Sequence, residues 1–127
     1  MSVKWNDRTL ITGPLITLAT SEKQYNRAMK HCGVKKCDRD PWLASEHVYA
    51  SCHLLQRHGE QLFIVTIRPQ LKTLQEVVGL LIHESVHIWQ HTRTFLGEDN
   101  PSPEFEAYAI QGICQSLIVA YQADVNG

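Results

Sequence analysis

Three short segments of the chain have the apolar pattern that is typical of β-strands. They cover residues 15–20, 50–57 and 61–68, and the last of them, QLFIVTIR, has the strongest β-forming composition. His58-Gly59 lies between the second and third segments. Because so short a connection joins them, we expect these two strands to form a β-hairpin.

Apolar residues at helical spacing follow three helix-capping sequences. Ser21 with Gln24, and Thr73 with Glu76, have the form of capping boxes, and Ser102 stands before a proline that would occupy the first helical position. The predicted helices are 22–31, then 74 through 89 or one turn further with an end before Gly97, then 103 to about 121.

The predicted elements follow one another in the order β-α-β-β-α-α, which indicates an α+β fold. The charged, turn-rich stretch 34–41 and the stretch 97–103 (GEDNPSP) are interpreted as loops, and 42–49 has no clear pattern. The chain has 127 residues without a repeat or a linker, and one core usually serves roughly 100–200 residues. We therefore expect a single domain over 1–127.

Composition and charge exclude several classes of partner. The chain has 12 Lys+Arg against 13 Asp+Glu, so there is no basic excess and we expect no nucleic-acid partner. No apolar run approaches the ~18 residues of a membrane-spanning helix, so no membrane partner is expected. The start, MSVKWNDRTL, is too polar for a secretory signal, and four cysteines then indicate reduced thiols in a cytoplasm.

The sequence His83-Glu84-Ser85-Val86-His87 is an HExxH motif inside the second predicted helix. Residues four apart lie on one helical face, so both imidazoles can bind one Zn²⁺. Glu84 is offset by one position and is placed to accept a proton from a water that the metal activates. The flanking residues are apolar, and burying three polar groups there without a ligand would be unfavourable.

Catalytic zinc uses three protein ligands, so a further residue is required. Glu104 and Glu106 stand in the first turn of the next predicted helix, beyond a loop long enough for the two helices to pack side by side. The alternative is that they only complement the helix dipole. Glu106 continues the apolar line of that helix and Glu104 its more polar line, which favours Glu104 as the ligand.

HESVHIWQ followed by EFEAY resembles the gluzincin branch of the zincin metallopeptidases, particularly short metallopeptidase-like proteins encoded by phages and prophages. The similarity covers residues 80–122. It implies a minimal zincin-like domain in which a small mixed or antiparallel sheet packs on the HExxH helix and on a C-terminal helix that supplies the glutamate. It also implies that Glu104 is the third ligand, with Glu106 in a supporting role or as the alternative ligand.

Tyr108 stands where membrane and periplasmic relatives of this family have an aspartate that orients a ligand histidine. Its hydroxyl is a candidate catalytic donor, either to a developing oxyanion or to a glutamate ligand. The alternative is a half-buried aromatic residue whose hydroxyl contacts water.

The resemblance implies a zinc-dependent endopeptidase-like hydrolase with a peptide or protein substrate. In similar folds a strand near the active-site helix offers an edge to an extended peptide, a role we expect of 61–68. A chain this short leaves the opposite wall of the cleft to 33–49, to 97–103 or to a protein partner. A phage-encoded protein would act in the host cytoplasm or in the virion.

Two other functions stay open: a phage structural or assembly protein with a mainly structural zinc site, and a regulatory module. A second zinc site is a further possibility, formed by His31, Cys32 and Cys37 together with Cys52 and His53. Alternatively, His53 lines the cleft of the HExxH site.

Overall fold

A computed structural model describes residues 3–5, 13–69 and 73–126. The elements in chain order are β1 (Leu15–Ala19), α1 (Glu22–His31), a short 3₁₀ turn (Lys36–Asp38), β2 (Ala50–Arg57), β3 (Glu60–Ile67), α2 (Leu74–Leu96) and α3 (Pro103–Asn126). This order confirms the predicted α+β arrangement. The helix predicted to end near 121 continues to Asn126, because no glycine or proline interrupts its last turns.

The three strands form one mixed sheet in the order β1-β3-β2. β1 is parallel to β3, with Leu15 opposite Leu62, and β2 is antiparallel to β3. The expectation that 61–68 provides a free edge is therefore wrong: β3 is the central strand and is paired on both sides. Its residues 61–67 are all buried, as a central strand with both faces covered requires. Among the described strands, the outer ones are β1 and β2.

The hairpin between β2 and β3 is as predicted. His58 and Gly59 form its two-residue turn, and both have positive φ angles, 53° and 77°. Left-handed conformation at both central residues is typical of a type I′ turn, whose twist matches that of the flanking strands. Arg57 pairs directly with Glu60, so the turn fixes the register of the hairpin.

Each face of the sheet carries its own core, because successive strand residues point to opposite sides. Phe63 and Val65 of β3 belong to the core shared with α2 and α3, which includes the fully buried Leu81 and Leu117. Ile64 points to the other side, where the core is completed by α1. The sheet thus separates α1 from the two helices that carry the candidate site.

All three predicted caps are present. The side-chain oxygens of Ser21, Thr73 and Ser102 each accept a hydrogen bond from a backbone N–H in the first turn, at 3.2, 3.1 and 3.1 Å. Gly97 ends α2 with a φ of 76°, and Glu98 N–H donates to the Arg93 carbonyl at 3.0 Å. This is a Schellman ending, so α2 is fixed at both ends.

The irregular segment 33–49 is held by side chains that donate to its backbone carbonyls. Tyr25 and Thr66 donate to the carbonyls of Asp40 and Trp42, each at 2.6 Å. Trp42 packs with the core on the α1 side of the sheet. This part of the segment therefore lies across the sheet from α2, which argues against 33–49 among the three candidates for the opposite wall of the HExxH site.

None of the helices within the described ranges is both long and apolar enough to cross a bilayer.

Candidate metal centre

His83 and His87 lie on the exposed face of α2, one helical turn apart. Their Nε2 atoms are 3.1 Å from each other, and the rings meet edge to face with centroids 4.7 Å apart. This proximity follows directly from the i, i+4 spacing in a regular helix. Two imidazole nitrogens on an exposed helix face are therefore close enough to contact one metal ion.

Glu84 points toward the sheet and is only 4% exposed. Burial raises the pKa of its carboxyl, whereas the nearby His83 and His87 act in the opposite direction. Its Oε2 atom is buried and has no hydrogen-bond partner among the residues that the structure describes. A carboxylate oxygen in this state is unfavourable unless another group compensates it, which a cation beside the histidines would do.

The ligand atoms of His83, Glu84 and His87 all lie within 4.8 Å of one another. This is the only such group of three or more histidine, cysteine or acidic side chains within residues 3–5, 13–69 and 73–126. Imidazole nitrogens with a carboxylate oxygen are a donor set that zinc accepts. The cluster could hold a metal ion, and its chemistry leaves the identity of the metal to be measured.

The candidate third ligands stand in the first turn of α3 and are not part of this cluster. Glu104 is exposed. Glu106 is half-buried, and its Oε2 accepts a hydrogen bond of 2.8 Å from Nε1 of Trp89, a buried residue of α2. The structure thus gives Glu106 a partner within the protein. The assignment of a third ligand stays a prediction.

Tyr108 is 67% exposed, and no hydrogen bond joins its hydroxyl to another described residue. It lies on the outward face of α3 with Glu104, Gln111 and Gln115, all exposed. Its spacing from Glu104 accounts for this, because residues four apart share a helical face. A catalytic role for Tyr108 stays a prediction.

His53 does not line the HExxH site, contrary to one of our expectations. Its ring lies on the α1 side of the sheet, 4.7 Å from the ring of Tyr25, and its Nε2 is 3.1 Å from the Trp42 carbonyl oxygen and 3.3 Å from Thr66 Oγ1. Burial lowers the pKa of His53, while the Trp42 carbonyl and Asp40 act in the opposite direction. His53 is a core histidine with polar partners.

The possible second zinc site does not form within the described residues. Cys52 and His53 are consecutive strand residues and therefore face opposite sides of the sheet. Cys37 is exposed in the 3₁₀ turn, and none of these residues belongs to a metal-ligand cluster.

Sequence reasoning missed two interactions near the HExxH motif: the position of Cys52 beside Glu84, and the hydrogen bond between Trp89 and Glu106. Cys52 faces α2, where burial and the nearby Glu84 carboxylate raise the pKa of its thiol to about 12, so the thiol stays protonated and unreactive. The strand period could have placed Cys52 on the side of Phe63, but not next to Glu84. The Trp89–Glu106 hydrogen bond had no local signal at all, since it depends on how two helices dock.

Comparison with known proteins gave no match, whether to a family model, a curated protein or a solved structure. A functional conclusion therefore depends on the chemistry of the site itself.

Proposed function

We propose that this chain is a zinc-dependent peptidase domain of a minimal, zincin-like type. The observation that supports the proposal most is the convergence of two exposed imidazole nitrogens and a buried glutamate on one turn of α2, with ligand atoms within 4.8 Å of one another. A purely structural metal site has no need of Glu84 in that position. The resemblance of HESVHIWQ and EFEAY to the gluzincins supports the same function.

In the proposed site, His83 and His87 hold the metal through Nε2, and Glu104 supplies the third ligand that the resemblance implies. Zinc bound there would supply a Lewis acid that lowers the pKa of a water molecule and polarises a peptide carbonyl. Glu84 would accept a proton on its carboxylate and return it to the leaving amine. Its buried environment raises the pKa of its carboxyl, and this increases its affinity for the transferred proton.

The proposed substrate is an extended peptide. β2 packs on α2 and is an outer strand of the described sheet, so its backbone is the edge to which a peptide could add. The histidine face is exposed. We propose that the loop 97–103 or a protein partner forms the opposite wall of the cleft.

Zinc titration by calorimetry tests the metal site. We expect about one zinc per chain for the wild-type protein, and loss of binding in His83→Ala and His87→Ala. His91→Ala is a matched control, because His91 is an exposed histidine one turn further along the same helix. Absence of zinc binding by the wild-type chain, or equal loss in His91→Ala, would overturn the proposed site.

Peptide cleavage by the zinc-loaded protein tests the proposed reaction. Glu84→Gln should bind zinc but lose cleavage of a peptide library by a factor of 10² or more, since general-base catalysis contributes roughly 10²–10⁴-fold. If wild type and Glu84→Gln bind zinc and are equally inactive, the peptidase proposal fails. A structural or assembly role for the zinc site would then be favoured.

A further inference from the structure

One hydrogen bond connects the histidine helix to the helix that carries the candidate glutamates. Trp89 follows His87 by two residues, and its Nε1–H donates to Glu106 Oε2 at 2.8 Å. The indole is 3% exposed and its ring centroid lies 5.7 Å from that of Phe105. The indole N–H is therefore shielded from water, and loss of its acceptor would leave a buried donor without a hydrogen bond.

The hydrogen bond to Trp89 holds Glu106 on a side of α2 away from the two histidines. Two residues on a helix differ by about 200° around its axis, so Trp89 points away from the side on which His87 is exposed. Glu106 is held on the Trp89 side of α2. To bind a metal at His83 and His87, the carboxylate would have to reach that side of α2 with Oε1 while Oε2 stays on the indole, or else leave the buried indole N–H without a partner, which is unfavourable.

We propose that Glu106 is a positioning residue and not a ligand: through Trp89, it sets the register of the first turn of α3 against the histidine turn of α2. This inference rests on the proposed metal site. Glu104 is two residues earlier and exposed, and its carboxylate has no hydrogen bond or ion pair to another described residue. The bond thus leaves Glu104 as the carboxylate of this turn that is available to a metal.

Zinc affinity in two variants of one residue distinguishes the roles. Glu106→Gln keeps a side-chain oxygen that can accept from the indole, so a positioning role predicts an affinity within about threefold of wild type. Glu106→Leu removes the acceptor, and we expect zinc affinity to fall roughly 10–100-fold, as for other outer residues of metal sites. A ligand role instead predicts that Glu106→Gln is as weak as Glu106→Leu.

Trp89→Phe removes the donor and should weaken zinc binding as much as Glu106→Leu. The double variant should show no further loss, because both changes break the same bond. The visible spectrum of bound Co²⁺ gives a second readout, which Glu106→Gln should leave unchanged and Glu104→Gln should alter. If Glu106→Leu does not fold, the Gln variant and Trp89→Phe still decide the question.

The outcomes of these experiments test the positioning role separately from the proposed function. Wild-type zinc affinity in Glu106→Leu or Trp89→Phe would overturn the positioning role, as would a Glu106→Gln variant that binds zinc as weakly as Glu106→Leu. If the wild-type chain binds no zinc, the proposed function fails, and the inference fails with it. Zinc binding by wild type with weak binding by Glu106→Gln would overturn the inference alone.

Discussion

Glu84→Gln should make the metal-free protein more stable. The Glu84 carboxylate is 4% exposed and its Oε2 atom lacks a hydrogen-bond partner in the described part of the chain. Leaving a buried polar atom unsatisfied costs about 1–3 kcal/mol, and more when the group is charged. Glutamine has nearly the same shape and no charge, but it still places polar atoms in the same position. We therefore expect it to recover only part of this free energy, about 1 kcal/mol.

The assay is thermal unfolding in the presence of a chelator, with urea unfolding as a second measurement. A gain of 1 kcal/mol corresponds to a rise in Tm of roughly 3–5 °C for a chain of this size. Glu46→Gln is the control, because Glu46 is an exposed loop residue, and its effect should lie within about 0.5 kcal/mol. A lower Tm for Glu84→Gln would refute the reasoning, since it would mean that the carboxylate has a stabilising partner.

Three further predictions concern the core. Burial lowers the pKa of His53 below its ordinary 6.5, so the stability that neutral His53 confers is present above pH 6.5 and is lost as the pH falls through the lower folded pKa. Urea unfolding at pH 7.5 and 5.5 should show this loss of stability in wild type and in the control His47→Gln. The loss should be smaller in His53→Gln. Thr92→Val should raise the free energy of unfolding by about 1 kcal/mol, since the buried Thr92 hydroxyl has no hydrogen-bond partner within 3–5, 13–69 and 73–126, and a decrease would contradict this. Leu117→Ala should lower it by about 2–5 kcal/mol in the same denaturant assay, and a change below 1 kcal/mol would show that α3 is loosely packed.

The sequence allowed local structure to be predicted well, because local structure depends on neighbouring residues. The caps at Ser21 and Thr73, the end of α2 at Gly97 and the turn at His58-Gly59 are each determined within a few positions. The proximity of the two histidines of the HExxH motif could be predicted for the same reason, because a regular helix brings residues four apart together.

Features that depend on docking could not be predicted. The central place of β3 requires β1 to pair with it across more than forty residues, and no periodicity encodes that pairing. The burial of Glu84 depends on α2 packing against β2, and the different environments of Glu104 and Glu106 depend on α3 packing against α2. The expectation that His53 lines the HExxH site was wrong for a different reason. The alternation of side chains along a strand already places His53 on the opposite side of the sheet from Cys52, and the prediction did not use this alternation.

The two histidines are the tenth and fourteenth residues of a 23-residue helix that is capped at both ends. A metal ion bound there would have to order only exposed side chains, the two histidines and in the proposed site Glu104, because the helices that carry them are already folded. Metal loading and folding are then separate events, unlike in small zinc domains that unfold when the metal leaves. The fraction of chains with metal bound would then follow the free metal concentration, without unfolding of the chains that lack it.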